Sequence, residues 1–112
     1  MQDLSGKART QRAQLLRQYI ASLPAKRARI EDCWKDIQFS DWSADSLAKL
    51  KLNVHRLAGS AGSYGFEDLG SAAQTLESSL KSAAGSAEQR RVIGRQTTNL
   101  LQALAAIPKK MA

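Results

Sequence analysis

The sequence is short of most features that secreted proteins, membrane proteins and metalloenzymes are built on. It has one cysteine, Cys33, in 112 residues, which excludes an internal disulfide and cannot by itself make a zinc site. No apolar run approaches the ~20 residues needed to span a bilayer, and the N-terminus does not have the layout of a secretory signal. The expected setting is a reducing cytoplasm, with no membrane partner. Aromatic residues make up only 5% of the chain. A Gly-rich phosphate loop is missing, and so is any catalytic constellation beyond the one histidine. Histidine occurs once, as His55.

What the chain has in excess is positive charge, +7 at neutral pH with a pI of about 10.0. Such a balance attracts acidic partners. The cations are spread along the sequence, from Lys7, Arg9 and Arg12 through Lys26, Arg27 and Arg29 to Arg90, Arg91 and Lys109. A nucleic-acid reader concentrates them on one face with interleaved aromatics or a recognisable motif, so no nucleic-acid partner is expected.

Ala, Leu and Gln are frequent and apolar residues recur at helical spacing, which predicts an all-α chain forming one domain over residues 1–112. Five helices can be drawn. The first, about residues 7 to 22, carries Leu15, Leu16, Tyr19, Ile20 and Leu23. Pro24 suits the first turn of a second helix, whose core face is Ile30, Cys33, Trp34 and Ile37. Ser43 is a candidate N-cap, with Asp45 placed favourably against the dipole of the third helix. That helix buries Leu47, Leu50, Val54, Leu57 and Ala61 and runs to about residue 63. After a turn around SYGFED, a fourth helix presents Leu69, Ala72, Leu76, Leu80 and Ala83 and is stopped by Gly85. The SAEQ stretch from Ser86 to Gln89 is a capping box for a fifth helix, which carries Val92, Ile93, Leu100, Leu101 and Leu104 and ends at Pro108. One-striped helices with short connections make an antiparallel four-helix bundle, here with an additional N-terminal helix.

The stretch NVHRLAGSAGSYGFEDLG, residues 53 to 70, is unusual within that plan. At about 100° per residue, His55 lies about 120° from the centre of its helix's apolar stripe, on the flank or outside of the bundle. Ala48, Lys51, Leu52, Ala58, Gly59 and Gly62 share its face, and the three that follow the ring, Ala58, Gly59 and Gly62, have no side chain beyond Cβ. Glycine in a helix interior costs ~1 kcal/mol relative to alanine. A glycine kept at that cost with no turn to make serves close approach of another backbone or protein. Gly62 has a second explanation: antiparallel pairing about a turn near Phe66 sets it opposite Gly70, a small pair that would let the helices pack closely. Gly59 has no such partner. The same pairing sets Glu77 opposite His55, where a carboxylate would fix the imidazole tautomer and leave the other ring nitrogen with a free lone pair. The alternative for Glu77 is an exposed ion pair with Lys81 one turn on.

These residues resemble the motif of histidine phosphotransfer (HPt) domains, roughly H-x-L-K-G-S-[SA]-x-x-x-G followed by L and L-E. The positions are His55, Leu57, Ala58, Gly59, Ser60, Ala61 and Gly65, then Leu69 and Leu76-Glu77. The resemblance covers residues 53 to 80 closely, and the helix layout extends it along the chain. It implies a phosphocarrier without ATP-dependent kinase activity of its own, with His55 phosphorylated at Nε2. The phosphoryl group would be exchanged with the aspartate of a response-regulator receiver domain, and a sensor or hybrid histidine kinase would stand upstream. The carrier itself would need no cofactor and would act as a monomer, the Mg²⁺ belonging to the receiver. Leu52, Ala58, Gly59 and Gly62 would form the docking surface. The family often has lysine where this chain has Ala58; Lys51, Arg56 or Lys81 would then supply the cation beside the phosphoryl oxygens. Three further readings stay open. One is the phosphoacceptor domain of a larger hybrid or chemotaxis-type kinase, which would continue beyond residue 112. The others are a basic helical binding module that needs neither His55 nor Gly59, and a carrier inactivated through Ala58 that still docks receivers.

Overall fold

Tyr19, Leu23, Ile30, Cys33 and Ile37 are all buried and fall in one helical phase, which decides how the first third of the chain folds. In the computed structural model, which describes residues 4–82 and 85–111, it forms a single helix, α1 (Leu4–Phe39). Three more follow: α2 (Ala44–Ser63), α3 (Glu67–Lys81) and α4 (Ala87–Met111). The all-α bundle is as the sequence predicts, but the separate N-terminal helix is not a separate element. Pro24 lies inside α1 rather than at a helix start. An interior proline costs roughly 3 kcal/mol through a lost N–H bond and a ring clash. Pro24 is on the exposed face, and the apolar stripe on either side of it docks in unbroken register, so burial holds the helix through the proline. Pro108 likewise lies within α4 instead of ending it. Leu15, expected in the stripe, is 51% exposed, because α1 continues beyond the level at which α2 ends.

The core is contributed by all four helices, with Leu50, Val54, Leu57 and Ala61 of α2 against Leu69, Ala73, Leu76 and Leu80 of α3 and Ile93, Leu100 and Leu104 of α4. Thr97 is also fully buried and donates its hydroxyl to the Ile93 carbonyl at 2.8 Å, which satisfies a polar group in an apolar layer. The expected core residue Ala83 lies outside the described residues.

Two turns set the helix register. At the end of α2, Gly65 has φ +84°, Phe66 N–H donates to the Ala61 carbonyl at 2.9 Å, and Gly65 N–H donates to the Gly62 carbonyl at 3.2 Å. This is a Schellman ending, which requires a left-handed residue and favours glycine there. At the other end of the bundle, Asp41 and Trp42 both have positive φ, 52° and 65°. That conformation is strained for tryptophan. Trp42 is held edge-on to Trp34 with centroids 5.6 Å apart, and beneath the Arg90 guanidinium. The caps at Ser43 and Ser86 form as expected: each hydroxyl accepts an N–H bond, from Ser46 at 3.2 Å and from Gln89 at 3.1 Å. The Gln89 side chain, however, donates to the Ser82 carbonyl at 3.0 Å, tying α4 back to the end of α3.

Candidate functional site

The tight α2–α3 turn lays the two helices antiparallel, and the pairing predicted from it is met. His55 Nδ1 and Glu77 Oε2 are 2.7 Å apart. The two groups differ sharply in setting: the imidazole is 69% exposed and the Glu77 side chain only 14%. An ionised carboxylate can only accept hydrogen bonds, so the proton between them sits on Nδ1. In the neutral ring Nε2 then holds the lone pair, and it has no hydrogen-bond partner among the described residues. Glu77 makes no ion pair with Lys81, which is exposed in the last turn of α3.

The surface around the ring is bare by construction. A Cβ placed on Gly59 or Gly62 would meet nothing within 4 Å. Gly70 is different: its Cβ would lie 3.6 Å from the Ala58 carbonyl and from Gly62 N, and 3.8 Å from the Ala61 Cβ. The close helix contact expected of the Gly62–Gly70 pair is therefore made on the Gly70 side, against the backbone of α2, while Gly62 itself faces open space. Ala58 is a correction. It is only 8% exposed, because α3 approaches closely enough through Gly70 to cover it, so its side chain belongs to the interface and not to the open shelf.

Beside His55, between α2 and α3, runs a shallow groove lined by Leu47, Ala48, Lys51, Leu52 and Leu80, with Glu77 on its α3 side. Leu52 is 49% exposed there. Lys51 precedes His55 by one turn and has no ion pair among the described residues. The three candidate cations thus separate: Lys51 shares the groove with His55 and Glu77, Lys81 does not line it, and Arg56 faces α1, near Lys26 and Arg29.

Sequence reasoning missed the anchorage of α2 on α1. The Tyr19 hydroxyl and Ser60 Oγ are 2.8 Å apart, and the Tyr19 ring stacks on Tyr64 at 4.3 Å and on Phe66 at 5.9 Å. Burial pushes the Tyr19 phenol above its usual range, with the Ser60 hydrogen bond pulling the other way. Ser60 stood in the motif as a signal, but its partner becomes visible only once α1 is continuous through Pro24. Cys33 is buried, and burial, followed by Asp36 and Asp32, raises its thiol; it is placed for packing. Among the described residues no three His, Cys, Asp or Glu side chains converge on a possible metal position, and no helix is long and apolar enough to cross a membrane.

The sequence model of the Hpt domain family matches residues 14–107. No curated protein and no solved structure matches the chain significantly. The family match spans most of the chain, which therefore belongs to the Hpt domain family and is a histidine phosphotransfer module of the phosphorelay type; Hpt domains as a family are phosphotransfer carriers and not kinases.

Proposed function

We propose that this Hpt domain carries a phosphoryl group on Nε2 of His55, exchanging it with the aspartate of response-regulator receiver domains in the cytoplasm. The observation that carries this reading is the His55–Glu77 contact of 2.7 Å on a ring that is otherwise 69% exposed. It orients the imidazole and, with Glu77 accepting the hydrogen bond, holds the ring's own proton on Nδ1, so the outward nitrogen is the nucleophile.

The step balances without a proton transfer. The Nε2 lone pair attacks phosphorus of the receiver's aspartyl phosphate in line with the scissile bond. The N–P bond forms as the P–O bond to the carboxylate breaks, and the aspartate leaves as carboxylate. The ring gains a positive charge, which the Glu77 carboxylate neutralises through the Nδ1–H bond. The reverse reaction uses the same groups. Phosphoryl transfer of this kind depends on positioning and charge neutralisation more than on covalent work by side chains, so a rigid helix with one accessible nucleophile is sufficient on the carrier's side. The Mg²⁺ and the acidic cluster belong to the receiver. Lys51, one turn from His55 and in the same groove, is the cation assigned to the phosphoryl oxygens in place of the lysine common at the position of Ala58. Leu52, Gly59 and Gly62 form the landing surface.

The test is incubation with phosphorylated receiver domains. Acid-labile, alkali-stable phosphate should accumulate on the parent chain and map to His55. Stable phosphate on serine, or none with any receiver tried, overturns the reading.

A further inference from the structure

Three of the cations that are scattered in the sequence come together on the bundle. Lys26 and Arg29 of α1 and Arg56 of α2 line one shallow depression, with Asn53 beside them and Ile30 and Leu57 at its floor. None of the three is in an ion pair among the described residues. Lys26 Nζ instead donates to the Ser22 hydroxyl at 2.8 Å and sits 5.2 Å from the centre of the Tyr19 ring. Nearby Arg27 pairs instead with Glu31 at 3.2 Å, and Arg29 makes no ion pair with Asp32 one turn on. Three like charges around one depression raise the positive potential there.

The position of this cluster relative to His55 gives it meaning. Unrolled at about 100° per residue, the outward face of α2 reads His55, Gly59, Leu52, Arg56 from its α3 edge to its α1 edge. The nucleophile is on one side, a bare and apolar strip lies in the middle, and the cations stand on the other. A helix is about 10–12 Å across with its side chains, so one docked domain covers the whole span.

We propose that Lys26, Arg29 and Arg56 form the cationic edge of the docking surface and select receivers whose surface beside the phosphoaspartate pocket is acidic. The inference rests on His55 being the phosphocarrier. The cluster fixes which way round the partner sits, because only one orientation places an acidic flank over α1 while the phosphoryl group meets His55. Being at the rim, it acts mainly on association and its effect is screened by salt.

The test is Lys26→Glu/Arg29→Glu, with Arg95→Glu/Lys109→Glu on α4 as a variant of equal charge change elsewhere. Phosphotransfer from a phosphorylated receiver is followed as a function of ionic strength. The first variant should transfer about tenfold more slowly at low salt, within the range that steering supplies, and the difference should shrink to about twofold when salt shortens the Debye length to ~3 Å. The α4 variant should stay near the parent. A small phosphoramidate donor, which needs no docking, should phosphorylate His55 in all of them. Parental rates and salt dependence in the first variant, or equal slowing in both, overturn the inference while leaving the carrier reading intact. A parent that accepts no phosphate at His55 overturns both. Salt-sensitive binding of duplex DNA that is lost in the first variant, with receiver transfer unchanged, assigns the cluster to nucleic acid instead.

Discussion

Both edges of the α2–α3 hairpin dispense with side chains. On the inner edge a Cβ at Gly70 would sit 3.6 Å from the Ala58 carbonyl and from Gly62 N, whereas on the outer edge a Cβ at Gly59 or Gly62 would meet nothing within 4 Å. Each of these glycines weakens its helix by about the same amount. At Gly70 the return is close packing, which buries Ala58 and brings Glu77 within reach of His55. At Gly59 no return exists inside the molecule, so whatever keeps it small lies outside. One edge builds the site and the other leaves it open.

The largest effect separates chemistry from packing altogether. His55→Gln should accept no phosphate from a receiver or from a small donor, while unfolding within ~0.5 kcal/mol of the parent, as exposed substitutions usually do. Urea unfolding and a phosphorylation assay on the same sample check both halves. Phosphate retained by this variant would remove His55 from the mechanism.

Gly70→Leu attacks the inner edge. The Cβ alone would make ordinary contacts, but the rest of the leucine has nowhere to go between two helix backbones. Overpacking of this kind costs typically 1–3 kcal/mol, and the helices should separate enough to loosen the His55–Glu77 contact. A lower urea midpoint together with slower phosphorylation is the expected pair of results. Unchanged stability would mean that the hairpin is not as closely packed as the Gly70 contacts indicate.

How much of this was legible in the sequence depends on whether the deciding contact was local. The His55–Glu77 pair followed from one turn and simple antiparallel counting, because the Gly65 ending fixes register within a few residues. Ala58 was misplaced. On the helix wheel it falls at the boundary between stripe and open face, and a neighbour's distance of approach, set by Gly70 twelve residues on, decides which side it joins. Pro24 misled for a related reason. Its local preference for a helix start is real, but the stripe from Tyr19 to Ile37 keeps one phase across it, and that signal is spread over 19 residues. The Lys26–Arg29–Arg56 cluster needed α1 beside α2 before it existed at all.

Glu77→Ala tests what the inner edge delivers to the outer one. A hydrogen bond of this sort contributes roughly 0.5–1.5 kcal/mol, so phosphorylation should slow by about two- to tenfold, and the bundle should remain folded. NMR of the ring nitrogens should show the Nδ1–H preference lost. An unchanged tautomer balance would reduce Glu77 to a partly buried surface acid.

The smallest effect is expected at Gly59, and it decides what the outer edge is for. Gly59→Ala places one methyl in open space, so helix propensity should raise stability by up to ~1 kcal/mol, seen as a higher urea midpoint. A methyl barely thickens the surface, so transfer from a receiver should stay close to the parental rate. Gly59→Gln keeps a good helix former but raises a long side chain where the partner lands, and should slow that transfer while leaving the small donor unaffected. Gly59→Glu adds repulsion against an acidic partner and should slow it further. Stability and transfer would then move in opposite directions along one series at one position. That pattern requires a selective pressure from outside the fold. If Gly59→Ala instead destabilises the bundle, the open space around its Cβ is not open in solution; if all three transfer at the parental rate, the partner lands elsewhere on α2.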